Sequence, residues 1–307
     1  MATTGTSTFN LDVNDLIEEA FERCGLELRT GYDFRTARRS MNLLTIEWAN
    51  RGINLWTVEQ GQIVMQTGQA MYPIPVDTID LMDQVIRQNN GTSNQMDINI
   101  SRIAEPTYMS LPNKLAQGRP IQVWINRQSG QESVTAVTLN GNISATDTTI
   151  TVSDASSLTT SGFIKIGNET ISYPNVSGNQ LLNCARGQNG TTAAAHTTGA
   201  VLTVQNLPCI NVWPTPNAPG TQYTFVYYRL RRIQDAGTGV YMQDIPFRFV
   251  PAMVAGLAYY LSMKLNGVDP MRVQALQADY EKQFQLAADE DRDKSPVRFV
   301  PRNMFYA

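Results

Sequence analysis

Residues 128–205 change the character of the chain. They are rich in Thr, Ser, Gly and Asn and almost free of charge. Strand-like runs (SVTAVTL, TTITVS, GFIKIG, ETISYP, QLLNCAR and GAVLTV) recur through them roughly every 8–12 residues, with turn residues between. That spacing predicts a small all-β module. The flanking sequences, PIQVWINR ahead and CINVWPTP behind, are both β-branched and aromatic, and removing the segment would join them into one meander. We therefore read 128–205 as an insertion into a hairpin loop, where a long excursion costs little more entropy than a short one. The rest of the core must then come from two separated pieces, 1–127 and 206–294, followed by a short arm, 295–307.

Both pieces contain helical patterns. After LDVND, with Asp12 or Asn14 as cap, Leu16, Ile17, Ala20, Phe21 and Cys24 recur at helical spacing until Gly25. A second helix starts near Tyr32-Asp33, places Phe34, Ala37, Met41, Leu44 and Trp48 on one face, and closes at Gly52. Arg35, Arg38 and Arg39 lie towards its other side, as a solvated face or as a surface for an acidic partner. From Trp56 to Arg127 the pattern is strand-like, and YTFVYYRL resumes it after the insertion. The apolar run Phe249–Leu261 is 13 residues long, short of the roughly 20 that a membrane span needs. Arg248 and Lys264 close it, and Ala252, Ala255, Gly256 and Ala258 let a neighbour approach, so it reads as a buried helix. Asp269 and Pro270 open a last helix with the stripe Val273, Leu276, Tyr280, Phe284 and Ala287. The fold class expected is α+β: a helical bundle of about four main helices, a β-meander region and an inserted small all-β domain.

Catalytic chemistry finds little support. One histidine, His196, cannot build a multi-histidine metal site, and in TTAAAHTTG it reads as a turn or surface residue. Three scattered cysteines form no CxxC pair. GTG at 237–239 and ARGQNG at 185–190 match neither phosphate-binding fingerprint. No enzyme activity, cofactor or metal is expected. The net charge of −3 argues against a nucleic-acid binder. The opening MATTGTSTFN has no basic start and no apolar run, so no secretory signal is expected. In RLRRIQDAGTGVYMQDIP the arginines Arg229, Arg231 and Arg232 precede a flexible loop, which could hold a neighbouring subunit's edge or an acidic partner. PVRFVPRNMFYA mixes prolines, arginines and aromatics: an arm that binds something, or a tail that packs back on its own domain.

The order of these parts resembles a known family. DLIEEAFERCG and FRTARRSMNLLTIEWANRGINLW, followed by INVWPTPNAPGTQYTFVYYRLRRIQD and YMQDIPFRFVPAMVAGLAYYLSMK, are similar to the head-to-tail adaptor proteins of short-tailed bacteriophages. The resemblance covers roughly residues 10–128 and 206–290. It implies a structural virion protein of the neck, synthesised in the host cytoplasm, that forms a ring, expected to be twelve-fold. The ring would join the portal protein to the tail nozzle or hub and let genomic DNA pass without specific binding, with no membrane partner. It further implies that the arm reaches the portal, with Arg298 and Arg302 meeting acceptors and Phe299, Phe305 and Tyr306 anchoring in pockets. Arg35, Arg38, Arg39, Arg231 and Arg232 are then candidates for the subunit interface. The inserted segment resembles small β-domains of phage virion proteins, which serve as decoration, neighbour contacts or weak glycan sites. The alternative is a peripheral tail protein that binds host-surface glycan through this module; it requires exposed aromatics there, and Phe163 and Tyr173 are the module's only ones.

Overall fold

The structure is a computed structural model and describes residues 3–7, 9–52, 55–220 and 222–291. The 295–307 arm, with Arg298, Phe299, Arg302, Phe305 and Tyr306, lies outside the described residues. The fold class expected from sequence is overturned. Among the described residues, eighteen strands in five sheets stand against five α-helices, so the protein is mostly β and not a helical bundle with a small β addition. Helices of 12 to 21 residues repeat their pattern for several turns, whereas most strands here have five residues or fewer and show little periodicity.

The chain divides into two compact units: Val58–Arg232, and the sequence on both sides of it. The flanking unit is helical, with α1 (Val13–Cys24) and α2 (Gly31–Asn50) before the β unit. The β unit contains the short α3 (Glu105–Met109). After it come α4 (Val250–Ser262) and α5 (Pro270–Glu290). Asp12 caps α1 by accepting from the Asp15 N–H at 2.9 Å, and Gly25 ends the helix at φ 76°. Thr30 and Asp33 form a capping box on α2. α4 packs against α1, α2 and α5 and is buried almost all round, which accounts for its lack of charged residues. Gly256 makes that closeness possible: a Cβ there would stand 2.8 Å from both Leu44 of α2 and Tyr280 of α5.

In the β unit, the Tyr223–Arg231 strand lies between Val58–Val64 and Thr78–Gln88, and Met96–Asn99 completes an antiparallel sheet. Five consecutive residues of the central strand, Tyr223 to Tyr227, are buried, as expected of a strand covered on both faces. Gly61 sits opposite Tyr227, whose ring passes where a Cβ would be. A second sheet orders Met71–Pro73, Cys209–Trp213, Gln122–Asn126 and Ser101–Arg102. The two sheets share one core containing Met65, Tyr72, Ile86, Val123, Ile210 and Phe225. Cys209 pairs with Asn126 and Trp213 with Gln122, so the chain leaves and re-enters this hairpin at one end.

Between those strands, Glu132–Thr138, Gly162–Ile166, Glu169–Tyr173, Ala185–Gln188 and Val201–Gln205 form a five-stranded sheet, and Ile150–Thr151, Asn175–Ser177 and Gln180–Leu182 form a three-stranded one. They enclose their own core around Ile150, Ile164, Ile171, Tyr173 and Leu202. Phe163 instead packs with Met71 and Cys209 of the flanking sheet and with Leu207 just ahead of it.

Candidate functional site

The burial of Ala37, Met41, Leu44 and Trp48 fixes how α2 faces outward. Arg35 and Arg39 are exposed and Arg38 is half-buried. The Arg35 Nε donates to the Gly31 carbonyl at 3.3 Å, and among the described residues none of the three makes an ion pair. Tyr32, Leu43 and Ile46 are exposed on the same helix. This outer face therefore brings together two of the arginines named from sequence and three large apolar side chains.

Arg231 and Arg232 belong to the β unit. The Arg231 side chain is 11% exposed, and its Nε donates to Glu59 Oε1 at 2.6 Å. Arg229 bridges Glu59 and Asp77 across the same sheet edge. Arg232 is exposed, and its backbone N–H donates to the Asp77 carbonyl. These arginines tie the Val58–Val64 and Tyr223–Arg231 strands to the start of Thr78–Gln88.

A cluster that the sequence did not reveal lies in the inserted segment. Glu169 is 1% exposed. Its carboxylate accepts from Arg186 Nε and a terminal Arg186 nitrogen, both at 2.8 Å, and bonds His196 Nε2 at 2.7 Å. It also accepts the backbone N–H groups of Gly187 at 3.0 Å and Ala194 at 3.1 Å. Burial pushes the Glu169 pKa up, but the bonds from Arg186, His196 and these amides outweigh it and hold the group below the usual glutamate range. His196 is thus half-buried against a carboxylate, not a surface residue. Arg186 also reaches the carbonyls of Ser144, Asp147 and Ala194, so one ion pair fastens two loops. The available signal was the isolation of Glu169 and Arg186 in a segment with so few charges.

Among the described residues, no hydroxyl or thiol bonds the His196 ring. Burial pushes the Cys24 thiol up to about 11 and those of Cys184 and Cys209 up to about 12, so all three stay protonated and unreactive at neutral pH.

The helical unit has a second polar network. Tyr260 Oη donates to Glu47 Oε2 at 2.6 Å, Tyr280 Oη to Glu47 Oε1 at 3.1 Å, and Trp48 Nε1 to Tyr280 Oη at 3.1 Å. Arg51 bonds Glu47 and grips Glu281 with two nitrogens while lying over the Phe284 ring at 4.4 Å. Burial and the Glu47 carboxylate push Tyr260 up to about 12, so it remains a donor. The network joins α2, α4 and α5.

In the β unit, a cleft of about 590 Å³ is lined by Gln66, Gln69, Gln117, Asn183, Arg186 and Gln188 among others. Gln69 donates to the Met71 carbonyl at 2.7 Å and to Gln188 Oε1 at 2.9 Å, linking the inserted segment to the flanking sheet. The amides of this lining can hydrogen-bond but cannot exchange protons near neutrality. Among the described residues, no group of three or more His, Cys, Asp or Glu could hold a metal ion, and no helix is long and apolar enough to cross a membrane. Compared with known proteins, the chain matches no family model and no curated protein.

Proposed function

We propose that the chain is a structural subunit of a short-tailed bacteriophage neck, a head-to-tail adaptor that assembles as a ring between portal and tail nozzle. The observation that carries this reading is the outer face of α2. The buried carboxylate of Glu169 and that of Glu47 are engaged within the chain, whereas among the described residues Arg35 and Arg39 make no ion pair and stand beside exposed Leu43 and Ile46. Such a face serves contact with another protein rather than chemistry. The ordered sequence phrases that resemble the adaptor family supply the kind of assembly: a ring, twelve-fold in that family, with the portal and nozzle as partners and DNA passing through. On this reading the protein has no enzymatic role and works in the virion neck.

The glycan-binding alternative loses its main support. Phe163 and Tyr173, the only aromatics in residues 128–205, are 3% and 0% exposed, so the module offers no ring on which a sugar could stack.

The test is the native mass of the purified chain, alone and mixed with portal rings from the same virus. A stoichiometric ring on the portal is expected. A chain that stays at its 34.1 kDa monomer mass with portal present overturns the adaptor reading. Deleting residues 295–307 is expected to abolish portal attachment while the subunit stays folded; attachment at wild-type strength would remove the arm from the proposal.

A further inference from the structure

The outer sides of α1 and α2 carry opposite charge. Asp15, Glu18 and Glu22 are exposed on α1 and fall within about 60° of one another at ~100° per residue. Arg35 and Arg39, with Leu43 and Ile46, fall within about 80° on α2. Among the described residues, none of these five charged groups makes an ion pair. Each stripe sets like charges three or four positions apart, which destabilises a helix on its own. The opposite stripe would relieve that repulsion.

Building on the adaptor reading, we infer that α1 of one copy docks antiparallel on α2 of the next. At ~1.5 Å rise per residue, Glu22 and Glu18 are about 6 Å apart along α1, as are Arg35 and Arg39 along α2. Antiparallel docking pairs these residues and carries Leu43 and Ile46 past Asp15, towards the start of α1. Apolar side chains wait there: Tyr241 and Met242 are 62% and 65% exposed. Their backbone is fixed to that helix start, since the Tyr241 carbonyl accepts the Val13 N–H at 2.9 Å and Met242 forms a bridge with Asp12. Parallel docking would instead carry Leu43 and Ile46 towards Glu27 and Arg29, both exposed and charged. With α1 of each copy on one neighbour and its α2 on the other, the contact is heterologous and repeats from copy to copy, as a ring requires.

The experiment uses the full chain. Wild type is expected to self-associate, more weakly as salt rises from about 50 to about 500 mM. R35E/R39E and E18R/E22R should each weaken association at least about tenfold, and a chain with all four reversals should recover it. Circular dichroism checks that the helices persist. Independently, a chain carrying Glu18→Cys and Arg39→Cys should form disulfide-linked multimers on mild oxidation. The contact is overturned if the paired reversals associate like wild type, if the four-reversal chain does no better than either pair, or if wild type stays monomeric at low salt and high concentration. Portal capture separates the two readings. Wild type that self-associates through these faces but ignores portal rings keeps the contact and loses the adaptor role. Variants that assemble normally on the portal keep that role and lose the contact.

Discussion

The helical unit and the inserted segment each draw one glutamate inward, and they satisfy it differently. Glu47 is bonded by side chains, two tyrosine hydroxyls and Arg51, and its side chain remains 25% exposed. Glu169 is 1% exposed and takes two backbone N–H groups besides Arg186 and His196. The reason lies in the secondary structure around them. α2, α4 and α5 satisfy their own main chains, so Glu47 only orients one helix against another. The irregular pairing of Ala185–Gln188 and the loop that follows it leave the amides of Gly187 and Ala194 without a ladder partner, and a buried carboxylate supplies it. In the helical unit the charge is an accessory to packing; in the module it closes the fold.

Breaking the module's carboxylate should therefore cost most. Glu169→Gln is expected to lower stability by about 3–5 kcal/mol, because Arg186 would be left buried without its counter-charge. Loss of amide protection across residues 132–205, followed by hydrogen exchange, is the readout. Protection unchanged from wild type would mean that the loops hold themselves. Acid should reproduce the effect. The folded-state pKa of Glu169 lies below its unfolded value, so its contribution is complete above the ordinary glutamate range and disappears as pH falls through the lower, folded value. The Gln variant should lack that component in a pH series of thermal melts.

The helical unit should respond first to steric crowding. Gly256→Val forces atoms into Leu44 and Tyr280, and a loss of about 1–3 kcal/mol in urea unfolding is expected. Tyr280→Phe removes the Trp48 and Glu47 bonds but keeps the ring, at about 0.5–1.5 kcal/mol for each bond. Should Tyr280→Phe cost as much as Glu169→Gln, the contrast between accessory and closing charge fails. The smallest change belongs to Arg35→Gln, which should move monomer stability by no more than about 0.5 kcal/mol. A larger drop in its melting temperature would mean that Arg35 supports the fold and is not held ready for a neighbour.

Local helical features were legible because they are periodic. Leu16, Ile17, Ala20, Phe21 and Cys24 face the core of α1 as their spacing requires, and the paired strands around the insertion could be matched by composition. The balance of the fold was not legible. Thr78–Gln88, with eleven residues the longest strand described, was legible only as part of a long strand-like stretch, because its burial pattern, with register shifts against Tyr228–Arg231, lacks the alternation that marks a strand's bounds. Much of the module's logic also depends on distance in sequence: Glu169 lies 17 residues from Arg186 and 27 from His196, separations that no short motif covers. On the surface, the arginine cluster of α2 could be seen in sequence, but not which of its members turn outward. Arg231 looked equally free, and only the cross-strand neighbour Glu59 shows that it is not.

The paired exit and return at Asn126 and Cys209 has a consequence for how such a chain can change. Hydrogen-bonded partners in an antiparallel ladder stand about 5.5 Å apart, so whatever is threaded between them need only begin and end at neighbouring points. Residues 128–205 thus occupy a socket in which one folded cargo could be exchanged for another, or for a tight turn, without altering the register on either side. The socket is not indifferent to its cargo: Phe163 fills a small apolar seat formed by Met71, Leu207 and Cys209. A replacement lacking such a plug would leave that seat open to water, and lineages that swap the cargo should carry a compensating polar change there.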